Sequence, residues 1–312
     1  MRYQKMAAFV VFVAGSITSV SAQDEPHSKP GDYRIIESRT GETTDLNTLA
    51  DQLASHDAVF LGEEHNNTVG HDLHLDIIRA LHARRNDIVI TMEMFERDTQ
   101  GILDDYLGGR IEEDVFREHA RPWPNYENHY RPIIEFAKEN QVDVLAANMP
   151  TRGPFRIKFT TFEDLVPGPY HAREFQAPRD AYWRLFEGAM KGHVGTDSAA
   201  SVFRMYGAQC LKDETMAETM VDYLAGHPHR RPLLVHICGK FHSDYGYGTA
   251  HRFIRRRPLL SMGVVTMVSV EDPADADIEE HHQAGHYVLA VKTEAPRSVQ
   301  GGSSEAKNEA SK

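Results

Sequence analysis

The segment that decides the fold runs from Ala58 to Met94 and reads AVFLGEEHNNTVGHDLHLDIIRALHARRNDIVITMEM. It opens with a compact apolar run, Ala58–Leu61, which predicts a strand ending at Gly62. Residues 68–85 then place apolar side chains at helical spacing, namely Leu73, Ile77, Ile78 and Leu81. A second apolar run, Ile88–Met94, follows and predicts another strand. The order strand, helix, strand is the beginning of an α/β fold.

Three further apolar runs along the chain predict strands: Val142–Ala147, Leu233–Cys238 and one within Leu259–Val270. Helical patterns over residues 99–107 and 133–139 lie between the strands. Strands that are nearly all apolar are typical of a parallel sheet covered on both faces. We therefore predict an α/β fold with a mostly parallel sheet, helices on both faces and a helical insertion over residues 155–225. The insertion has helical patterns whose large side chains are more typical of core than of a cofactor site: Trp183, Phe186, Met205, Met216 and Met220.

The two ends of the chain differ from the domain between them. Arg2 and Lys5 precede the apolar run Met6–Val13, and small residues lead to Ala22, after which charged residues begin. This pattern predicts a signal peptide over residues 1–22 and a periplasmic or secreted product, with no cysteine there for a lipid anchor. Outside it no run approaches the 18 or so apolar residues of a membrane span, so we expect no stable membrane insertion after cleavage. We expect an exposed lead-in over 23–45, the α/β domain over 46–293 and a disordered tail over 294–312.

Composition excludes several classes of protein. The chain has 312 residues, 34 basic and 46 acidic, for a net charge of −12, and its 41% hydrophobic content is ordinary for a globular protein. The acidic balance argues against nucleic acid as a partner, and the basic cluster RFIRRR at 252–257 reads as one solvated helix face. The two cysteines, Cys210 and Cys238, either form one disulfide in an oxidising compartment or remain buried thiols.

Polar residues follow the predicted strands where these end. The first strand leads into Glu63 and His65, the second carries Glu93, the third ends at Asn148, and the fourth leads into His242. Because ligands bind at the carboxyl ends of parallel strands, we expect carboxylate or imidazole atoms of Glu63, His65, Glu93 and His242 to line one pocket. Such groups bind a metal ion or share general acid and base work on a water molecule.

Each of these residues also has an alternative explanation that involves no ligand, namely an ion pair or a hydrogen bond within the protein. A carboxylate within an apolar strand needs a partner, and Glu93 would find one in an ion pair with Arg79, Arg84 or Lys240. His65 and His242 would be hydrogen-bonded loop residues. On the helix after the first strand, His71 and His74 share a face at metal-ligand spacing. We take His71 as a further metal ligand and expect His74 at the surface.

Five blocks of sequence, in order from about Asp57 to Met267, resemble those of the ChaN-like haem-binding uptake proteins of the Tiki superfamily. The blocks are LGEEHNNTVGHDLHLDIIRAL, TMEMFERDTQGILDDYLGG, WPNYENHYRPIIEFAKENQVDVLAANMPTR, AQCLKDETMAETM and CGKFHSDYGYG. The chain departs from the family pattern in three places. Gly70-His71 replaces a His-His pair, His74 replaces a glutamine, and Lys240-Phe241 replaces small or polar residues.

The resemblance implies an α/β fold, haem or iron handling outside the cytoplasm, and homodimers that enclose haems through a tyrosine iron ligand. Relatives in the superfamily are metal-dependent peptidases and erythromycin esterases, whose site residues correspond to Glu63, His65, Glu93 and His242. We take Tyr245 as the first choice for the iron ligand and Tyr130 as the second, with His242 and His65 as further haem contacts. Arg97, Arg152 and Lys240 would then attract the haem propionates.

Three functions follow from these observations. The first is a haem-binding protein in haem and iron uptake. The second is a metal-dependent hydrolase of the peptidase or esterase type, in which Glu63, His65, Glu93 and His242 act on substrate and bind a divalent metal together with His71. The third is a non-catalytic domain that binds a partner and retains the site as a relic. Neither composition nor spacing decides whether the chain is an enzyme.

Overall fold

A computed structural model describes residues 27–153, 168–191 and 198–293. Its centre is an eight-stranded sheet with the order β2-β1-β8-β7-β3-β6-β4-β5. The strands are β1 (Tyr33–Glu37), β2 (Thr43–Thr44), β3 (Ala58–Glu63), β4 (Ile88–Glu96), β5 (Asp143–Asn148), β6 (Leu233–Gly239), β7 (Met262–Val270) and β8 (Tyr287–Lys292). The six strands from β8 to β5 pair in parallel, and only β1 and β2 add in antiparallel pairs. The predicted α/β class with a mostly parallel sheet is confirmed.

Nine α-helices connect or cover these strands in the described residues. They are α1 (Leu46–Leu53), α2 (Thr68–Arg84), α3 (Gln100–Leu107), α4 (Glu113–Ala120), α5 (Tyr126–His129), α6 (Arg131–Glu139), α7 (Ala181–Ala189), α8 (Ala199–Gly226) and α9 (Gly248–Arg256). The start of α2 is fixed by Asn67, whose side chain accepts a hydrogen bond from the Gly70 N–H at 2.9 Å, as an N-cap does. None of the described helices has the length and apolar content needed to cross a membrane.

Successive side chains of β3 point to opposite faces of the sheet, and both faces are covered by helices. Val59 and Leu61 pack with α2 in the larger core cluster, whereas Ala58 and Phe60 pack against α8 and α9 on the other side. The strand is buried at every position. Glu63, the last residue of β3, shares the parity of Val59 and Leu61, so it points toward the α2 side.

The N-terminal segment is more structured than we expected. Within the predicted exposed lead-in over 23–45, Tyr33–Glu37 forms β1 and pairs with β8, which the sequence analysis also missed. Ile35 and Ile36 are buried there, and this pair supplies the apolar contact that holds an otherwise polar segment on the sheet. The predicted signal peptide and tail, and residues 155–167 and 192–197 of the predicted insertion, lie outside the described residues.

The described part of the insertion consists mainly of α7 and the long helix α8. Trp183, Phe186, Met216 and Met220 are buried as expected, whereas Met205 is 37% exposed and is not a core residue. The rings of Tyr182 and Phe186 contact Phe241, which follows β6, so α7 is anchored beside the carboxyl end of that strand. Cys210 and Cys238 are free, buried thiols in this structure.

Gly248 holds the start of α9 close to His242. It has φ +54°, and an added Cβ would lie 2.4 Å from the His242 carbonyl oxygen. We expect Gly248→Ala to lower the free energy of unfolding by about 2 kcal/mol or more, since both the backbone conformation and the contact disfavour a side chain. Urea unfolding of the variant and the parent protein measures the difference.

The matched control is Gly101→Ala within α3, where an added Cβ has no atom within 4 Å. This change is expected to be neutral or to stabilise by up to about 1 kcal/mol. Equal stability of the two variants would contradict the constraint assigned to Gly248.

Candidate functional site

A cleft of about 390 Å³ opens at the carboxyl ends of β3, β4 and β6. All four residues expected to meet there, Glu63, His65, Glu93 and His242, line it. The sheet supplies the polar side, and α7 with the loop before α5 supplies an apolar wall. The other lining residues are Glu64, Trp123, Phe186, Ala189, Met190, Gln209, Lys212, Gly239, Lys240 and Phe241.

The first polar pair of the cleft is Glu63 and His65. The His65 Nδ1 lies 2.8 Å from Glu63 Oε1, and the same oxygen accepts a hydrogen bond from the Tyr130 hydroxyl at 2.6 Å. Burial opposes protonation of His65, but the hydrogen bond and charge of Glu63 outweigh it and raise the pKa of the imidazole. The Glu63 side chain is fully buried, whereas that of His65 is 44% exposed. The carboxylate therefore orients an imidazole that is open to the cleft.

Gly239 allows the His65 ring to lie close to the end of β6. A Cβ added to Gly239 would be 2.9 Å from His65 Nε2 and 2.7 Å from Cε1. The ring edge also packs against Trp123, with centroids 5.0 Å apart. No other described residue forms a hydrogen bond with Nε2. That nitrogen is thus the accessible ligand or base of the cleft.

The second polar system connects Glu93 to His242. Glu93 lies where the pairing of β4 with β5 shifts register, between Met92 and Glu96. The Asn148 side chain donates to the Glu93 carbonyl at 3.0 Å, and the Gly239 N–H donates to Glu93 Oε2 at 2.8 Å. His242 Nε2 lies 3.2 Å from Glu93 Oε1. The partner of Glu93 is therefore His242 rather than Arg79, Arg84 or Lys240.

Asp213 of α8 completes this system from the far side of His242. Its Oδ1 lies 2.6 Å from His242 Nδ1, and its carboxylate also accepts from the Tyr182 and Thr249 hydroxyls at 2.9 and 3.0 Å. Burial alone would lower the pKa of His242, but the charges of Glu93 and Asp213 outweigh it and raise the pKa to about 9. Burial likewise opposes ionisation of Glu93, but the cationic His242 holds the pKa of that carboxyl well below its usual range.

Asp213 and Gln209 are the site residues that the analysis of the sequence missed. They lie four residues apart on one face of α8, and the Gln209 amide is 3.2 Å from the His242 ring. A signal was available, because both belong to the AQCLKDETMAETM block. Lys212, also missed, lines the cleft beside Lys240.

Other expected site residues lie elsewhere. Tyr245 has φ 60° and donates its N–H to the Ala284 carbonyl, which places a 40% exposed ring outside the cleft lining. Tyr130 is fully buried behind Glu63. Arg97 pairs with Glu218 and Arg152 with Glu96, so of the three expected cations only Lys240 lines the cleft.

His71 and His74 lie behind Glu63 rather than in the cleft. His71 Nδ1 is 3.5 Å from Glu63 Oε2, and the ring stacks on His129 with centroids 4.2 Å apart. His74 is fully buried, which corrects the expectation that it lies at the surface. The reason is that α2 is enclosed on two sides, since Asp76 also accepts hydrogen bonds from the segment at Ser28.

The raised pKa of His242 gives a measurable consequence. In Asp213→Asn we expect the imidazole pKa to fall from about 9 toward its ordinary range, because the closest negative charge is removed. In the parent protein, the stabilisation from this proton is complete below pH 6.5 and is lost as the pH rises through 9, a change of about 3 kcal/mol. NMR titration of the ring and urea unfolding across this range measure both effects.

A ring of His242 that titrates near pH 6.5 in the parent protein would contradict the charge arrangement described above.

Comparison with known proteins gives a family match over residues 49–253, to the model described as haem-binding uptake, Tiki superfamily, ChaN. The chain is 25% identical over 248 residues to the chloroplastic protein RETICULATA-RELATED 5 of Arabidopsis thaliana, covering 72% of this chain and 32% of that protein. It thus spans about a third of the plant relative's length.

Comparison with solved structures gives two further similarities, of which the first supports the fold. ChaN of Campylobacter jejuni, described with cofacial haem binding, matches with a TM-score of 0.61 and 16% identity over 84% of this chain and 98% of that one. A mutant erythromycin esterase in its open conformation matches with a TM-score of 0.44 and 12% identity over 76% and 77% of the two chains. Because the family model covers about two thirds of the sequence, the protein belongs to the ChaN family of haem-binding uptake proteins in the Tiki superfamily.

Proposed function

We propose that this protein binds haem in the cleft and serves haem uptake outside the cytoplasm. The observation that carries the proposal is His65, whose Nδ1 is held by Glu63 while Nε2 remains open in a cleft with an aromatic wall. A histidine that binds iron through one nitrogen commonly has its other nitrogen hydrogen-bonded to a carboxylate. The pattern of residues 1–22 supports the compartment, since it is typical of a signal peptide.

The residues of the cleft fit haem chemically. Trp123, Phe186, Met190 and Phe241 provide an apolar surface for the macrocycle. Lys212 and Lys240 provide cations for the propionates, although Lys240 also pairs with Glu64 at 2.6 Å. When bound, haem would supply the iron chemistry, while the protein orients His65 and excludes water from one side of the ring.

The identity of the iron ligand separates two arrangements. Tyr130 donates its hydroxyl to Glu63, and burial raises the pKa of its phenol, so its oxygen is not available without rearrangement. Tyr245 is exposed and remains the tyrosine that could reach iron bound beside the cleft, as in the homodimer that the resemblance implies. We propose His65 as the ligand within the cleft and Tyr245 as the alternative.

Haem titration of variants tests this assignment. His65→Gln is expected to weaken haem binding at least about tenfold, because it removes the one open imidazole nitrogen among the described residues of the cleft. Tyr245→Phe, which removes one oxygen and keeps the ring, is expected to leave affinity and spectrum unchanged. Optical titration reports the affinity and the charge-transfer band, and light scattering with and without haem reports any dimer.

His119→Gln on the surface of α4 is the matched control and should bind as the parent protein does. Loss of the charge-transfer band in Tyr245→Phe, with normal binding by His65→Gln, would transfer the ligand role to Tyr245. Absence of binding by the parent protein would remove the haem proposal itself.

A second candidate function, hydrolysis, is favoured by one specific observation. An imidazole with an open nitrogen and a carboxylate behind it is the arrangement of a general base and its orienting group. Across the same cleft, His242 contacts Glu93 and Asp213 through both ring nitrogens, so it serves there as a cation rather than as a metal ligand. We propose that any hydrolytic reaction uses His65 as the base, with Glu93 holding His242 in its charged form.

The hydrolytic candidate is tested with p-nitrophenyl acetate and labelled casein as ester and peptide probes. If it holds, His65→Gln and Glu93→Gln should each lower the rate by about 100-fold or more while circular dichroism shows the parent fold. Rates for the parent protein no higher than those for His65→Gln would eliminate this candidate and leave the haem titration unaffected.

A further inference from the structure

Behind the cleft, three metal-ligating side chains converge, and each presents at least one polar atom that has no hydrogen-bond partner. One donor atom from each of Glu63, His71 and His74 lies within 4.8 Å of the others, and all three side chains are buried. Four of their polar atoms form no hydrogen bond in the described structure: Glu63 Oε2, His71 Nδ1 and both ring nitrogens of His74. Unsatisfied buried polar atoms are rare in folded proteins, so this concentration requires an explanation.

The hydrogen bonds around His71 determine which of its nitrogens carries a lone pair. Its Nε2 lies 3.2 Å from the carbonyl oxygen of His65, which can only accept, so Nε2 carries the proton. In the neutral ring Nδ1 is then an acceptor, and it faces Glu63 Oε2, another acceptor, at 3.5 Å. Two acceptors at this distance in a buried site repel each other unless a cation or a donor lies between them.

Protonation of the histidines does not solve this problem. Both rings are buried, and burial disfavours the charged imidazolium form. A single proton shared between His71 and Glu63 would also leave both nitrogens of His74 without a hydrogen-bond partner.

We propose that Glu63, His71 and His74 bind a divalent transition-metal cation of the zinc class in this buried site. Two imidazole nitrogens and one carboxylate oxygen form a common donor set for zinc. The bond from His71 Nε2–H to a backbone carbonyl is the outer contact that orients a metal-binding histidine. Two donors on one tetrahedral zinc ion lie about 3.4 Å apart. The three donor atoms lie within 4.8 Å of one another, so the side chains would close on the ion by up to about 1.4 Å.

The proposed ion and the cleft share Glu63 but use different oxygens. Oε1 takes the contacts of Tyr130 and His65, which leaves Oε2 for the cation. His74 belongs to the buried site alone, because it is not among the residues that line the cleft. His74 is therefore the residue that tests the metal without altering the cleft directly.

The experiment uses the haem-free full-length protein, dialysed against EDTA and then titrated with Zn²⁺ by calorimetry and with Co²⁺ by absorption spectroscopy. We expect one ion per chain and d–d bands of nitrogen and oxygen ligation. His74→Gln is expected to lose more affinity than the roughly 10–100-fold that follows removal of an outer contact. His82→Gln, at another position of α2, is the matched control and should bind as the parent protein does.

A second measurement needs no variant, in case His74→Gln does not fold. Crystals of the parent protein grown with zinc should give an anomalous difference peak between Glu63 Oε2 and the rings of His71 and His74. A peak only elsewhere, a water molecule in this position at saturating zinc, or equal zinc affinity of a folded His74→Gln would overturn the proposal.

Discussion

The burial of the Glu63 carboxylate is the constraint on which the site depends. A fully buried carboxylate must have partners for both oxygens, because leaving a charge without them costs several kcal/mol. One oxygen takes Tyr130 from the start of α6 and His65 from the loop after β3, which joins two distant segments of chain around one group. The direction of the open imidazole, and with it the chemistry available in the cleft, follows from this single arrangement.

Alternation along the strands gives the site two chemically different sides. Glu63 points to the α2 side of the sheet, whereas Glu93 contacts His242 and, through it, Asp213 of α8 on the other side. The irregular pairing of β4 with β5, fixed by the Asn148 amide, is what brings Glu93 to the edge. The α2 face thus carries Glu63 with neighbouring histidines, and the α8 face carries the cationic His242 between the carboxylates of Glu93 and Asp213.

Apolar runs and strand ends were sufficient to predict five of the six parallel strands and the meeting of Glu63, His65, Glu93 and His242 in one cleft, since those features depend on local sequence and parallel topology. Features that depend on distant segments were not predictable in this way. Ile35 and Ile36 make too short a run to distinguish β1 from a loop, and Asp213 resembles any acidic residue on a helix until His242 is placed beside it. His74 was expected at the surface but is buried, and the left-handed backbone at Tyr245 accompanies a ring that lies outside the cleft lining.

The position of β3 at the centre of the sheet has a consequence for how the chain folds. Its two neighbours, β6 and β7, begin at Leu233 and Met262, more than 170 residues later in the sequence. During synthesis, β3 therefore remains without either neighbouring strand until most of the chain has been made. Pairings of such large sequence separation form slowly, because loop-closure entropy is lost before the contacts are gained. The nascent chain consequently leaves the apolar segment Ala58–Leu61 without its strand neighbours for a long interval, during which the segment is prone to aggregation.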